Sequence, residues 1–157
     1  MEIKPLQHDD YLQVIPTLKE LLTTSYESSF DISKELCNIT VDTKIQELGE
    51  YLKIKKANLL GVFIQDTLVG FVWFYIHDCF NEKRLHINHI VVDKNHRGQG
   101  IAKKLLFQAE KYANEMNVKI IDLLVSESNL DAVRMYKNLG YVTERRYMKK
   151  NIFRDIK

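Results

Sequence analysis

The residues best placed for chemistry stand in two neighbouring runs. Asn95 to Ala102, NHRGQGIA, sets two of the chain's 6 glycines one residue apart behind an arginine. Glycines at 98 and 100 let the backbone take positive φ and approach a ligand closely. With a helix starting there, its free N–H groups and the positive end of its dipole face that gap, which suits a phosphate or pyrophosphate. The plain alternative is a tight connection whose glycines only satisfy sterics. Two familiar nucleotide loops fail on spacing: no G-x-x-x-x-G-K-[ST] occurs, and a dinucleotide fingerprint needs Gly or Ala where Lys103 stands. Just upstream, HINHIVV carries two histidines. The strand period of two puts His86, Asn88, Ile90 and Val92 on one face, with Ile87, His89 and Val91 on the other. His86 suits a general base near neutral pH, directly or through a water held with Asn88, or is a half-exposed strand histidine. His89 reads as a hydrogen-bonded core histidine. Glu127 is a weaker candidate base that solvation alone also explains.

These residues need elements to position them. Met1 to Gln7 reads as a first strand, and Asp9 or Asp10 as the N-cap of a helix with Leu12, Ile15, Leu18 and Leu22 at helical spacing. Pro16 is expected to kink that helix or end its first segment. Asp42 to Lys56 predicts a second helix with Ile45, Leu48 and Leu52 as its stripe. Leu59 to Gln65 and Leu68 to His77 are rich in β-branched and aromatic residues, and the "DT" between them predicts a hairpin. Leu85 to Val92 follows as a strand. Ile101 to Met116 is a helix whose inner face is Ile101, Leu105, Leu106, Ala109, Tyr112, Ala113 and Met116. Lys119 to Val125 reads as a strand, Asn129 to Asn138 as a helix, and Tyr141 to about Lys149 as one or two terminal strands. NHRGQGIA is therefore a strand-to-helix turn in a layered α/β domain with a mixed sheet.

Composition narrows the function classes. A chain of 157 residues, 45% hydrophobic, buries one sizeable core, and no linker or repeat divides it, so a single domain over 1–157 is expected. The 23 basic and 21 acidic residues are interspersed, leaving no single-sign field for nucleic acid or a membrane surface. The opening residues lack an apolar signal region and no run is long enough to cross a bilayer, so a soluble, cytoplasmic protein is expected. Cys37 and Cys79 match no ligand spacing and read as reduced structural thiols, with no metal.

One family accounts for these features together. Arg97-x-x-Gly100-x-Ala102 matches the R/Q-x-x-G-x-G/A signature of the GNAT superfamily of acetyl-CoA-dependent N-acetyltransferases, and it stands between a strand and an amphipathic helix. NLDAVRMYKNLGY resembles the family's late segment, with Asn129, Ala132, Tyr136 and Leu139-Gly140-Tyr141 in their relative places. The likeness covers nearly the whole chain. It implies an α/β (α+β) GNAT fold: a central mixed, mostly antiparallel sheet flanked by helices and splayed at the acetyl-CoA-binding strands. By the same resemblance, Arg97, Gly98, Gln99, Gly100, Ile101 and Ala102 hold the coenzyme's pyrophosphate, mostly through main-chain groups. Ile90, Val91 and Val92 pair with its pantetheine arm across from the edge of residues 120–125. Asn129 contacts that arm or simply caps its helix, and Tyr136 is the acid for the departing thiolate. The position of His86 is glutamate in many members and histidine in one of them. Lys103, Lys104, Arg134 and Lys137 are either solvated or near the 3′-phosphate. The implied activity is direct acetyl transfer in a ternary complex to a small-molecule or peptide amine, without nucleic acid, membrane or metal. Tyr26, Phe30, Trp73, Tyr75 and His77 are candidates for the acceptor pocket. A non-catalytic acyl-CoA sensor on the same fold is the alternative, and the terminal strand offers an edge for homodimer pairing.

Overall fold

Two tight turns organise the sheet. Gln65-Asp66 and Phe80-Asn81 all have positive φ, the geometry of two-residue hairpin turns whose twist matches that of their flanking strands. They join β2 (Ala57–Ile64), β3 (Thr67–Cys79) and β4 (Glu82–Val92) into an antiparallel meander; the first turn falls one residue before the expected "DT". In the computed structural model, which describes residues 1–153, β1 (Glu2–Pro5) adds antiparallel to β2 and β5 (Ile120–Leu123) adds parallel to β4. The order β1-β2-β3-β4-β5 is the expected mixed, mostly antiparallel sheet.

Helices cover both faces. On one lie α1 (His8–Ser29) and α2 (Lys34–Lys53), whose Tyr11, Leu18, Leu22, Val41, Ile45 and Leu48 pack with Phe71, Trp73 and Val91. On the other lies α3 (Ile101–Glu115), which buries Ile101, Leu105, Leu106, Ala109 and Ala113 and sets Tyr112 edge-on to Phe74. Met116, expected on that face, is exposed just beyond the helix.

Several expectations are corrected. Helix α1 runs unbroken through Pro16: the carbonyl that loses its partner belongs to Leu12, a residue 48% exposed, while the buried stripe on either side holds the helix. That exposure also removes Leu12 from the core. The N-cap is Gln7, whose N–H donates to Asp10 in the first turn, so neither aspartate is the cap. Helix α2 starts two turns earlier than expected, where the Ser33 hydroxyl accepts from the Leu36 N–H.

The chain divides into two compact units, Met1–Leu124 and Val125–Lys157. The second contains α4 (Leu130–Asn138) and, among its described residues, no strand. Among the described residues, the terminal strands expected from Tyr141 to Lys149 are not formed; a strand needs a partner edge to hold it. Among the described residues no helix is long and apolar enough to cross a membrane. Leu105 is fully buried at the centre of the α3 face, so Leu105→Ala is expected to lower unfolding free energy by about 2–5 kcal/mol in denaturant titration.

Candidate active site

Strand β4 carries the site because its two edges are treated differently. Its β3 edge is paired from Glu82 to Val92, whereas its parallel pairing with β5 ends at Ile87↔Leu123. Beyond Ile87 the second edge, which includes Ile90, Val91 and Val92, has no pairing with β5. At Val92 the carbonyl accepts from the Arg97 side chain, tying the following turn back to the strand. The Asp93 side chain caps that turn, accepting from the Asn95 N–H and from His96 Nδ1. Gly98 and Gly100 then both sit in the left-handed region, at φ 76° and 75°. An added Cβ at either would meet nothing within 4 Å, so backbone conformation and not local crowding asks for glycine. Gly100 is the N-cap of α3, and Lys104 N–H bonds its carbonyl, which leaves the amides of Ile101, Ala102 and Lys103 as the helix's open donors. No acidic side chain stands in this first turn. The site fits an anion flanked by an extended arm.

A β-bulge sets the faces of β4. Trp73 pairs with His89 and Phe74 with Ile87, so Asn88 is the extra residue. The unbroken period of two is therefore wrong here. His86, His89 and Val91 share the face of α1 and α2 with Trp73 and Tyr75, and Ile87, Ile90 and Val92 share the α3 face through their partners Phe74, Val72 and Gly70.

The two histidines on that face have different chemistry. Trp73 Nε1–H donates to His89 Nδ1 at 3.2 Å, which puts the imidazole proton on Nε2, where it donates to the Tyr26 hydroxyl at 3.0 Å. Burial first, with the Lys44 and His86 charges behind it, holds His89 down at about 4. Both its nitrogens are engaged, as expected of a core histidine. His86 is 18% exposed and its Nδ1 lies 2.7 Å from Asp122 Oδ1, its neighbour across the parallel pair. His77 Nε2 lies 3.1 Å from Oδ2 of the same carboxylate, and the buried Arg84 guanidinium lies 3.7 Å from it. Asp122, Arg84 and Tyr51 were missed by the sequence reading; a lone acid inside IIDLLV was the available signal for Asp122.

Of the expected pocket residues, Tyr75 and His77 stand at His86, while Trp73 and Tyr26 stand at His89 and Phe30 packs on Tyr26. Tyr75 lies 5.5 Å and His77 5.3 Å from the His86 ring, and Tyr51 packs edge-on to both Trp73 and Tyr75. The Asn88 Oδ1 is shielded from solvent and, among the described residues, has no hydrogen-bond partner. Such an acceptor is satisfied by a bound donor. His77, His86 and Asp122 also offer ligand-type atoms within 4.8 Å of one another. The 2.7 Å His86–Asp122 contact is a hydrogen bond, with the Arg84 cation beside it.

In the second unit, the Asn129 side chain caps α4 by accepting from the Ala132 N–H at 3.3 Å. Gly140, at φ 90°, ends the helix with Gly140 N–H bonded to the Lys137 carbonyl and Tyr141 N–H to the Tyr136 carbonyl. Tyr136 is buried against the Tyr141 ring, and burial pushes its hydroxyl up to about 12. Glu127 is exposed.

A five-stranded mixed sheet whose fourth strand is freed along one edge and followed by a glycine turn into a helix defines the acetyltransferase class of α/β folds. The comparisons agree, since the acetyltransferase (GNAT) family matches residues 16–141. The chain belongs to that family. It is 28% identical over 87 residues to a probable spermine N(1)-acetyltransferase of Bacillus subtilis subsp. natto (strain BEST195), covering 52% of this chain and 57% of that one. It is 34% identical over 80 residues to the N-terminal acetyltransferase B complex catalytic subunit naa20 of Schizosaccharomyces pombe (strain 972 / ATCC 24843), covering 51% and 44%. The chain thus spans about half the length of each of these relatives. Its fold matches a GCN5-related N-acetyltransferase from Ralstonia eutropha JMP134 with a TM-score of 0.79 at 17% identity, over 96% and 97% of the two chains.

The His89 pair gives a pH prediction. The imidazole titrates at about 4 when folded against an ordinary 6.5, so the unfolded chain binds the extra proton first as pH falls. Stability is expected to drop between about pH 6.5 and 4, by up to roughly 3 kcal/mol, and His89→Gln should flatten that slope in melting curves.

Proposed function

We propose that the protein transfers the acetyl group of acetyl-CoA directly to a primary amine of a small molecule or peptide, within a ternary complex. The released edge of β4 beside the open amides of α3 is the observation that carries this reading. The glycine turn would hold the pyrophosphate through the main chain of residues 97–102, and residues 90–92 would pair with the pantetheine arm. When bound, acetyl-CoA supplies an activated thioester. The family match spans both compact units, which supports treating them as one acetyltransferase domain.

His86 is the base. With Nδ1 engaged by Asp122, Nε2 is the nitrogen that takes a proton from the amine, and it stands one residue before the pairing with β5 ends. The amine nitrogen bonds to the acetyl carbonyl carbon, the carbon–sulfur bond breaks, and the electron pair leaves on sulfur. Asn88 supports the amine, or a water beside it, through its shielded Oδ1. Tyr136 serves the departing thiolate, as the family resemblance implies. With its hydroxyl at about 12 it keeps its proton at neutral pH and donates a hydrogen bond to the sulfur, whose own protonation then follows from solvent. Asn129, already capping α4, has its side-chain amide N–H left to meet the coenzyme arm.

Thiol release from acetyl-CoA across a panel of small-molecule and peptide amines tests this. Amine-dependent release supports it, and tight acetyl-CoA binding with no release from any amine points instead to a sensor. Tyr136→Phe is expected to lower kcat by about 10–100-fold with little change in acetyl-CoA affinity. An unchanged kcat in that variant removes Tyr136 from the reaction.

A further inference from the structure

We propose that Asp122 is a positioning residue that holds His86 in the tautomer able to accept the acceptor amine's proton, with His77 and Arg84 fixing the carboxylate in turn. The inference rests on reading His86 as the base, and it concerns residues that neither the coenzyme turn nor the late family motif contains.

The geometry carries it. A carboxylate only accepts hydrogen bonds, so the 2.7 Å contact with Asp122 Oδ1 requires the His86 proton to be on Nδ1. Nε2 is then the lone-pair nitrogen. When it takes the amine proton, the imidazolium keeps its Nδ1–H bond to Asp122, so the positive charge forms beside a fixed negative one. The register makes the contact unavoidable, because His86 and Asp122 are direct partners in the parallel β4–β5 pair. The carboxylate itself is held from its other side. Its Oδ2 accepts from His77 Nε2 at 3.1 Å and faces the Arg84 NH1 at 3.7 Å, and Arg84 is in turn anchored by Glu82 at 2.7 Å. The side chains of His86, Asp122 and His77 are 18%, 23% and 31% exposed, and that of Arg84 only 6%, so water competes little for these bonds.

Asp122→Asn separates this role from a structural one. The carboxamide has one acceptor, and the Arg84 cation beside Oδ2 draws it there, with His77 Nε2 3.1 Å from that position and 3.3 Å from Oδ1. Its N–H₂ group then faces His86 Nδ1 and forces the proton to Nε2. The expected result is a kcat about 100-fold lower with the acetyl-CoA KM unchanged, together with a shift of the His86 ¹⁵N signals from the Nδ1–H to the Nε2–H pattern. His86→Gln, assayed alongside, should be at least as impaired. An unchanged Asp122→Asn rate beside an impaired His86→Gln enzyme overturns the role of Asp122 and leaves His86 as base. A His86→Gln enzyme at the original rate overturns the base reading and this inference together. The unsubstituted protein gives a check that needs no variant to fold: a His86 found in the Nε2–H form overturns the proposal outright.

Discussion

Everything at the site follows from β4 being bonded along one edge and released along the other. Pairing with β3 runs to Val92, and pairing with β5 stops at Ile87. Had β5 continued alongside, the backbone groups that an extended ligand arm could use would be spent inside the sheet. The release is affordable in physical terms because β3 and the buried Val91 and Val92 side chains still fix the strand. The Arg97 bond to the Val92 carbonyl then aims the turn, and the glycines at 98 and 100 deliver the chain into α3 with its amides open.

The bulge at Asn88 is the second constraint. One extra residue puts His86 and His89 on one face, where alternation would have separated them. Their environments then divide the labour. His89, fixed between Trp73 and Tyr26 and kept neutral by burial, braces the sheet against α1. His86, 18% exposed, instead meets the Asp122 carboxylate through Nδ1. Two residues of one type thus meet different partners from positions three apart on the same face.

Much of this was legible in the sequence, for identifiable reasons. The turn could be read because left-handed backbone selects glycine, and the α3 face because Ile101, Leu105, Leu106, Ala109 and Ala113 repeat at helical spacing. The bulge was not, because Asn88 has no local signature that distinguishes an inserted residue from a paired one. Asp122 was hidden for a different reason: its contact with His86 depends on parallel register with a residue 36 positions earlier, which no local pattern encodes. Leu12 looked like core by spacing, yet the α1 stripe turned instead on Tyr11, Leu18, Leu21 and Leu22. Residues from Tyr141 onward had strand-like composition, but composition supplies no partner edge.

The central claim is that the released edge of β4 and the first turn of α3 together hold acetyl-CoA. Amide hydrogen exchange with and without acetyl-CoA reads both segments at once. The account predicts slowed exchange at those amides of residues 88–92 that are not bonded to β3 and at Ile101 to Lys103, with β1 and β2 unchanged. Saturating acetyl-CoA that leaves both segments exchanging at their free rates would contradict it.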